Sequence, residues 1–466
     1  MKKNIKIILS LLAFVPVLFF SGCNEPKSVP YLVNLEIWGV FDSSDVFVEA
    51  IAEYKKVNPY VGEIKYKKFS PDTYKTELID ALASGQGPDI FLVQNTWLPS
   101  FESKLEASPK GLIGLDKIKE NFVDVVQSDF VSEDKVYTLP LSVDSMALYY
   151  NKSLFNSAGI TAPPKTWAEF NDAATKLTKL DAFGSITQSG AAMGTAYNIN
   201  RSTDILGLLM LQNGAKMTDD NNKEAKINEG VVGSDGSVVR AGEVALGYYA
   251  QFAKKDSPLY TWNNDMHYSL DAFSEGNLAM MLNYSWQIDT IKNKNSKLNF
   301  DIAPVPQVSD IDPVSYANYW GWGVSKNKVG TKDGLTGRDL PNEARVHESW
   351  QFLKFLTMKN SGVIRLYNAF SGNFKDFPIN YDPAAKYIEK TNRPAARRDL
   401  IDKQKDDPKL GVFAKGNLIA KNWYQKNPDS IEKIFADAID YVSKGGGRPY
   451  DALSLASNRI TEIMSR

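Results

Sequence analysis

The chain has 466 residues, more than one hydrophobic core ordinarily organises, so at least two packing units are expected. Its 54 Lys and Arg offset 55 Asp and Glu, which leaves no basic excess to attract nucleic acid or an anionic membrane. The single cysteine and the two histidines, His267 and His347, exclude an internal disulfide and a thiolate metal cluster, and they leave little imidazole for acid–base chemistry.

The N-terminus opens on Lys2, Lys3 and Lys6, followed by Ile7 to Phe20, apolar except for Ser10. Such a run is shorter than the roughly 20 residues a spanning helix needs. Phe20-Ser21-Gly22-Cys23 then supplies small residues before a cysteine, as a cleavage site requires. Residues 1–22 read as a lipoprotein signal peptide and 23–30 as a polar tether. The pattern resembles a bacterial lipobox, with Phe20 where leucine is usual, so lipid attachment at Cys23 is expected. Loss of the three lysines takes the net charge from −1 to −4. No later stretch is long and apolar enough to span a bilayer.

Leu35 to Gly39 reads as a first strand. Ser43 to Asn58 carries apolar residues at helical spacing and stops at Asn58-Pro59. Glu63 to Phe69 is a second strand, and Ser70-Pro71 opens a helix to about Ser84. Gly85 to Pro88 turns the chain into the buried-type strand from Asp89 to Val93. Strand–helix–strand–helix–strand predicts a parallel sheet, whose ligands sit beyond the carboxyl ends of its strands. That rule selects Trp38 to Asp42 and Gln94 to Trp97.

Tyr137 to Asn151 is a β-rich apolar stretch containing Pro140 and Asp144. After Pro163-Pro164, Thr166 and Glu169 have capping-box spacing at the start of a helix to about Leu180. Asn213-Gly214 closes the helix from about Ser202. Asp219 to Gly236 reads as a surface excursion and Ala241 to Ala253 as an amphipathic helix. From Ala272 to Trp286 a helix end, a glycine turn, a buried strand and an aromatic loop follow one another. Phe300 to Pro306 reads as extended. Glu343 to Thr357 is a helix, with His347 on its surface or in its packing, and a further helix is expected from Ser361 to Phe370. Ser371 to Pro383 reads as irregular chain, and Asp451 to Met464 as the last amphipathic helix.

Several of these stretches together resemble the extracellular solute-binding proteins, family 1, the sugar-binding receptors of bacterial ABC importers. They are Ala83-Ser-Gly-Gln-Gly-Pro-Asp-Ile90, Leu139-Pro140 with Asp144, Tyr150-Asn-Lys152, Pro163-Pro-Lys-Thr-Trp-Ala-Glu-Phe170, and Phe273-x-x-Gly276-x-x-Ala279-Met280 ending at Trp286. The resemblance implies a two-lobe α/β fold of the periplasmic-binding-protein type II, with an interlobe hinge crossed three times. The crossings are expected near Leu141 to Asn151, Ile302 to Gln307 and Phe374 to Ile379. Residues 31–142 and 304–376 would form lobe 1, and 143–303 and 377–466 lobe 2.

It further implies ligand contacts at Trp38, Asp42, Asn95, Thr96, Trp97, Asp144, Tyr197, Trp286, Trp320 and Trp423, with Arg201 in the same approach loop as Tyr197. Several have a plainer alternative. Asp42 is equally a turn residue, Asn95 a helix cap, Trp97 a plug in its lobe, and Trp286 a helix cap. Trp320 either fills the cleft or gives a stacking platform, and Arg397 either reaches the cleft or lies on a helix surface.

Aromatic faces suit the C–H faces of a pyranose, and carboxylates and amides suit its hydroxyls. The implied protein is an exported, lipid-anchored monomer that captures a sugar or oligosaccharide by hinge closure and delivers it to an ABC permease. It is expected to be no enzyme, to need no cofactor and to bind no nucleic acid. The alternatives are a secreted glycoside hydrolase, which also needs two carboxylates in a cleft, and a receptor of the same fold for a polyamine or glycerol phosphate.

Overall fold

A computed structural model describes residues 31–465 apart from 233–235, 361 and 368–372. The signal peptide, the tether and Cys23 lie outside the described residues.

The N-terminal strands fold as their apolar runs dictate. Val33–Gly39 lies parallel to Val61–Lys68 on one side and Ile90–Gln94 on the other, with helices Asp45–Val57 and Pro71–Ala83 as crossovers. Trp320–Ser325 joins antiparallel to Ile90–Gln94, and Leu105–Glu106 and Thr138–Leu139 pair with it in turn. Strand alternation explains Trp320-Gly321-Trp322-Gly323. Both glycines face one side, where an added Cβ would stand 2.6 Å from the Phe130 ring at Gly321 and 2.5 Å from Leu105 at Gly323. Both indoles face the other side, Trp322 into the core against Phe47 and Trp320 into open space.

A second sheet runs in the order Phe300–Pro304, Ala147–Asn151, Leu278–Asn283, Ile186–Ala191, Lys179–Leu180. Ala147–Asn151 is antiparallel to both its neighbours, and Ile186–Ala191 is parallel to Leu278–Asn283. The capping box is present: Thr166 Oγ1 accepts from Glu169 N at 3.2 Å while Glu169 accepts from Thr166 N, opening helix Trp167–Leu177. Gly276, at φ +85°, ends helix Ser269–Glu275 in the left-handed conformation a Cβ would disfavour, and so turns the chain into Leu278–Asn283.

Buried apolar side chains form two separate cores. One gathers Tyr31 to Val143 and Ala317 to Ile401, with Ala414 and Ala420; the other gathers Met146 to Tyr316, Phe413 and Trp423 to Met464. The chain therefore passes between the cores in three regions: between Val143 and Met146, between Tyr316 and Ala317, and from Ile401 to Trp423, where Phe413 packs in the second core and Ala414 and Ala420 in the first. The connecting segments lie side by side. Ser145 bridges to Ala317 and Ser142 to Ala395, and Asn417 Nδ2 donates to Val143 O at 2.6 Å and Ala395 O at 3.1 Å.

Two expected crossings are thereby corrected. Phe300–Pro304 is the edge strand of the second sheet, where its proline breaks no interior ladder, and the chain crosses only after Tyr316. Phe374–Pro378 pairs with Val363–Tyr367 as an antiparallel hairpin on the first core. Over Val363–Tyr367 that pairing also replaces the helix expected from Ser361 to Phe370. Val363-Ile-Arg-Leu-Tyr367 alternates, with Ile364 and Leu366 buried and Val363 exposed, and β-branched residues favour the strand. His347 is buried within helix Asn342–Thr357, a packing position.

Candidate ligand-binding site

Two cavities open between the cores, of about 580 and 350 Å³. They share Pro71, Gln94, Arg201, Asn318 and Trp320 in their walls, so they are two chambers of one cleft that meet at a waist. The loops after Val33–Gly39 and Ile90–Gln94 form the first core's side, as the parallel-sheet rule requires.

Asp42 lines the larger chamber. Its Oδ2 accepts from the Tyr387 hydroxyl at 2.9 Å, and Arg393 Nη2 stands 2.9 Å from Oδ1. Phe41 is half-exposed beside it, with the Arg393 guanidinium 5.6 Å from the ring centre and the Trp320 ring meeting it edge-on at 5.4 Å. Asp144 comes from the first connecting segment. Its Oδ2 accepts from Ser285 N at 3.0 Å and Ser285 Oγ at 2.5 Å, and Oδ1 from Ser145 N. Burial pushes this carboxyl up to about 7, and those hydrogen bonds offset only part of the rise.

Trp286 closes the same chamber from the second core. Forty per cent exposed, it stacks on Tyr284 at 4.6 Å and 17°. It occupies the N-cap position of helix Gln287–Lys294 but makes no cap hydrogen bond, so the capping alternative does not explain it. The Arg201 guanidinium stands 5.6 Å from the Trp286 ring centre. Burial pulls Arg201 down in pKa, but the negative field of Asp204 and Glu432 outweighs it and holds the group firmly cationic.

Asn95, Thr96 and Trp97 line the smaller chamber from the first core and Trp423 lines it from the second. Asn95 Nδ2 donates to Asp129 at 3.0 Å, and Thr96 Oγ1 donates to Gln94 at 2.8 Å. Burial pushes Asp129 up to about 7. Trp97 lies flat on Phe101 and meets Trp320 edge-on at 4.9 Å, while Trp423 lies flat on Phe435. Lys75 and Asp429, both in the chamber wall, pair at 2.6 Å across the mouth.

Eight of the ten expected residues thus meet at this cleft: Asp42, Asn95, Thr96, Trp97, Asp144, Trp286, Trp320 and Trp423. Trp38 does not. Strand alternation turns it onto the far face, where it packs on Phe69 and donates to Glu36 at 2.7 Å. Tyr197 is 63% exposed and bonds Asp437 outside both chambers. Arg201 does line the cleft, whereas Arg397 is buried away from it between Asp382 and Asp399. Sequence reasoning selected the loop that holds Phe41 without singling that residue out, and missed Asn318, Tyr387, Arg393 and Asp204. The Asn392-Arg393-Pro394 loop was the available signal for Arg393, since proline fixes a loop that holds its neighbour in place. Among the described residues, no group of His, Asp and Glu has metal-binding geometry.

A family model described as "Bacterial extracellular solute-binding protein" matches residues 42–359. The chain is similar to a Brucella abortus protein described no further than as a binding protein, at 23% identity over 93% of this chain and 98% of that one. It is also similar to the maltodextrin-binding protein of Bacillus subtilis, at 24% identity over 70% of this chain and 73% of that one. Among solved structures it shares its two-lobe fold with a cyclo/maltodextrin-binding protein complexed with maltotetraose: TM-score 0.68, 17% identity, 94% of this chain and 98% of that one.

Proposed function

The chain belongs to the bacterial extracellular solute-binding proteins, and from that premise we propose that it captures a sugar or oligosaccharide in the cleft between its cores and leaves it chemically intact. One observation carries the reading: indoles and hydrogen-bonding carboxylates and amides from both cores line one gap. Trp286, 40% exposed, and half-buried Trp320 offer stacking surface for C–H faces, each ring contributing about 0.5–1.5 kcal/mol beyond its area, while the buried indoles of Trp97 and Trp423 wall the smaller chamber. Asp42, Asp144, Asn95 and Thr96 offer acceptors and donors for hydroxyls. The maltodextrin-binding relative supports the same ligand class.

In this reading the two cores are lobes that close on the sugar about the segments at 143–146, 316–317 and 395–417, since a ligand touching both sides favours the closed form. The closed protein, held to the membrane by lipid on Cys23, presents its cargo to an ABC permease.

The test is a thermal-shift panel of mono- and oligosaccharides followed by chromatography of the incubated ligand. A ligand at 100 times its Kd stabilises the folded state by about 2.7 kcal/mol, enough to move the melting temperature by several degrees. A shift with unchanged chain length is expected. Shortened products would make the cleft that of a hydrolase, and a panel without any shift would remove sugar as the ligand class.

A further inference from the structure

Among the described residues, the buried arginines Arg345 and Arg397 and the half-buried Arg393 are hydrogen-bonded or ion-paired, and the half-buried Arg201 is not. Arg345 bonds Asn342, Asp89 and the Ser325 carbonyl. Arg397 is held between Asp382 and Asp399, and Arg393 is paired with Asp42. Arg201 makes no side-chain hydrogen bond or ion pair among the described residues, and its Nε is a buried donor without a partner. Asp204, one helical turn on, lends it field but no bond, because Asp204 Oδ2 accepts from the Tyr284 hydroxyl at 2.8 Å and from Asn318 Nδ2 at 3.5 Å. A structural arginine saturates its fork. An unsaturated one set over an indole in a cleft keeps donors for something else.

Its position says what that is. Arg201 belongs to the walls of both chambers, facing Trp320 and Pro71 at the waist. The linings differ between the chambers: exposed Trp286 stands in the larger, Thr96 and the buried indoles Trp97 and Trp423 in the smaller, and Trp320 in both. A saccharide with a ring in each chamber passes the waist, where Arg201 stands. The backbone at Arg201 is left-handed (φ +64°, ψ +29°), a conformation disfavoured by any Cβ and one that collects at ligand sites.

We propose that Arg201 is a specificity-determining residue whose guanidinium donates paired hydrogen bonds to oxygens at the junction between two sugar rings, one in each chamber. The site thereby selects a saccharide of at least two rings over its monomer. This rests on the sugar reading given above.

The experiment is calorimetric titration of the full chain with glucose, maltose and maltotriose, with mannose, mannobiose and mannotriose, and with arabinose and its di- and trisaccharide. The variants are Arg201→Asn, which removes the fork while tolerating left-handed backbone, and Arg201→Lys, which keeps the charge without the fork. The wild type should prefer a disaccharide to its monomer by about tenfold or more, as loss of a charged hydrogen-bonding partner implies. Arg201→Asn should abolish the preference without lowering the melting temperature of the free protein, and Arg201→Lys should restore part of it. Equal affinity of monomer and dimer, or a preference that survives Arg201→Asn, overturns the role of Arg201 while sugar binding stands. A wild type that binds none of these sugars overturns both readings. Should Arg201→Asn melt early, Arg201→Lys decides: a full preference retained there overturns the fork.

Discussion

Arg393 Nη2 stands 2.9 Å from Asp42 Oδ1, closing a cleft wall with residues drawn from opposite ends of the chain. Tyr387 takes the other oxygen, so Asp42 enters the cleft already committed on both sides. Whatever Asp42 accepts from a ligand uses its remaining lone pairs, and Arg393 and Tyr387 fix where those lie.

Breaking that pair should therefore act first on stability. The Arg393 side chain is 32% exposed and Asp42 only 7%, so Arg393→Met leaves a largely buried carboxylate with Tyr387 as its one side-chain donor. The expected loss is about 1–3 kcal/mol, below the value for a fully buried pair, and Arg393→Lys should recover some of it. Urea unfolding measures both; equal midpoints for Arg393→Met and the wild type would show that the pair contributes nothing.

Trp286→Ala should do the opposite. The indole is 40% exposed and rests on Tyr284, so its removal should change the midpoint of unfolding by less than about 1 kcal/mol. Loss of its stacking face should weaken the tightest-binding sugar about tenfold or more. An unchanged Kd would take Trp286 out of the site.

The buried Asp89 cluster makes a purely structural prediction. Arg345 and Lys328 converge on Asp89, at 3.4 and 3.0 Å, behind the sheet and away from the cleft walls. Arg345→Met should cost about 3–5 kcal/mol, since it strips a buried carboxylate of one of its two cations. Ligand affinity of the protein that remains folded should not move.

Asn417 joins connecting segments through Val143 O and Ala395 O. Asn417→Ala should lower stability by about 1–3 kcal/mol by leaving two buried carbonyls unpaired. If the cores close about these segments, small-angle scattering should also show a more open free protein. A compact profile identical to the wild type would detach Asn417 from closure.

Asp144, Asp129 and Glu348 are each pushed up to about 7 by burial, against an unfolded carboxyl near 4. Between about pH 4 and 7 the folded chain holds protons that the unfolded chain has released. These groups therefore contribute most stability below about pH 4, lose it as pH rises through 7, and level off above. Asp144→Asn cannot titrate, so the stability difference between wild type and variant should fall across that window in the direction of a relatively more stable variant at pH 8. A difference independent of pH would mean that Asp144 is ionised throughout.

Much of the first sheet is legible in residue order because its information is local. Apolar runs, Asn58-Pro59, Ser70-Pro71 and the glycine turn before Asp89 mark alternating strands and helices, and a parallel sheet places its ligand loops after the strands. Asp42 and Asn95 to Trp97 follow directly. Trp38 shows the limit: the loop is right, but a one-residue step along a strand reverses the face, and only the pairing register says which face looks into the cleft.

By itself, then, the sequence marked most of the elements, because capping, turn chemistry and strand alternation act over a few residues, and its resemblance to a known family implied most of the indoles and carboxylates at the gap. Tertiary structure alone decided which distant groups meet: Arg393 with Asp42, Ser285 with Asp144, and Arg201 with Trp286 and, among the described residues, with no side-chain hydrogen-bond partner. It also decided that Phe300–Pro304 ends as a sheet edge and that Val363–Tyr367 folds back as a hairpin. Those outcomes depend on what packs against each segment from hundreds of residues away, and no local pattern carries that contact.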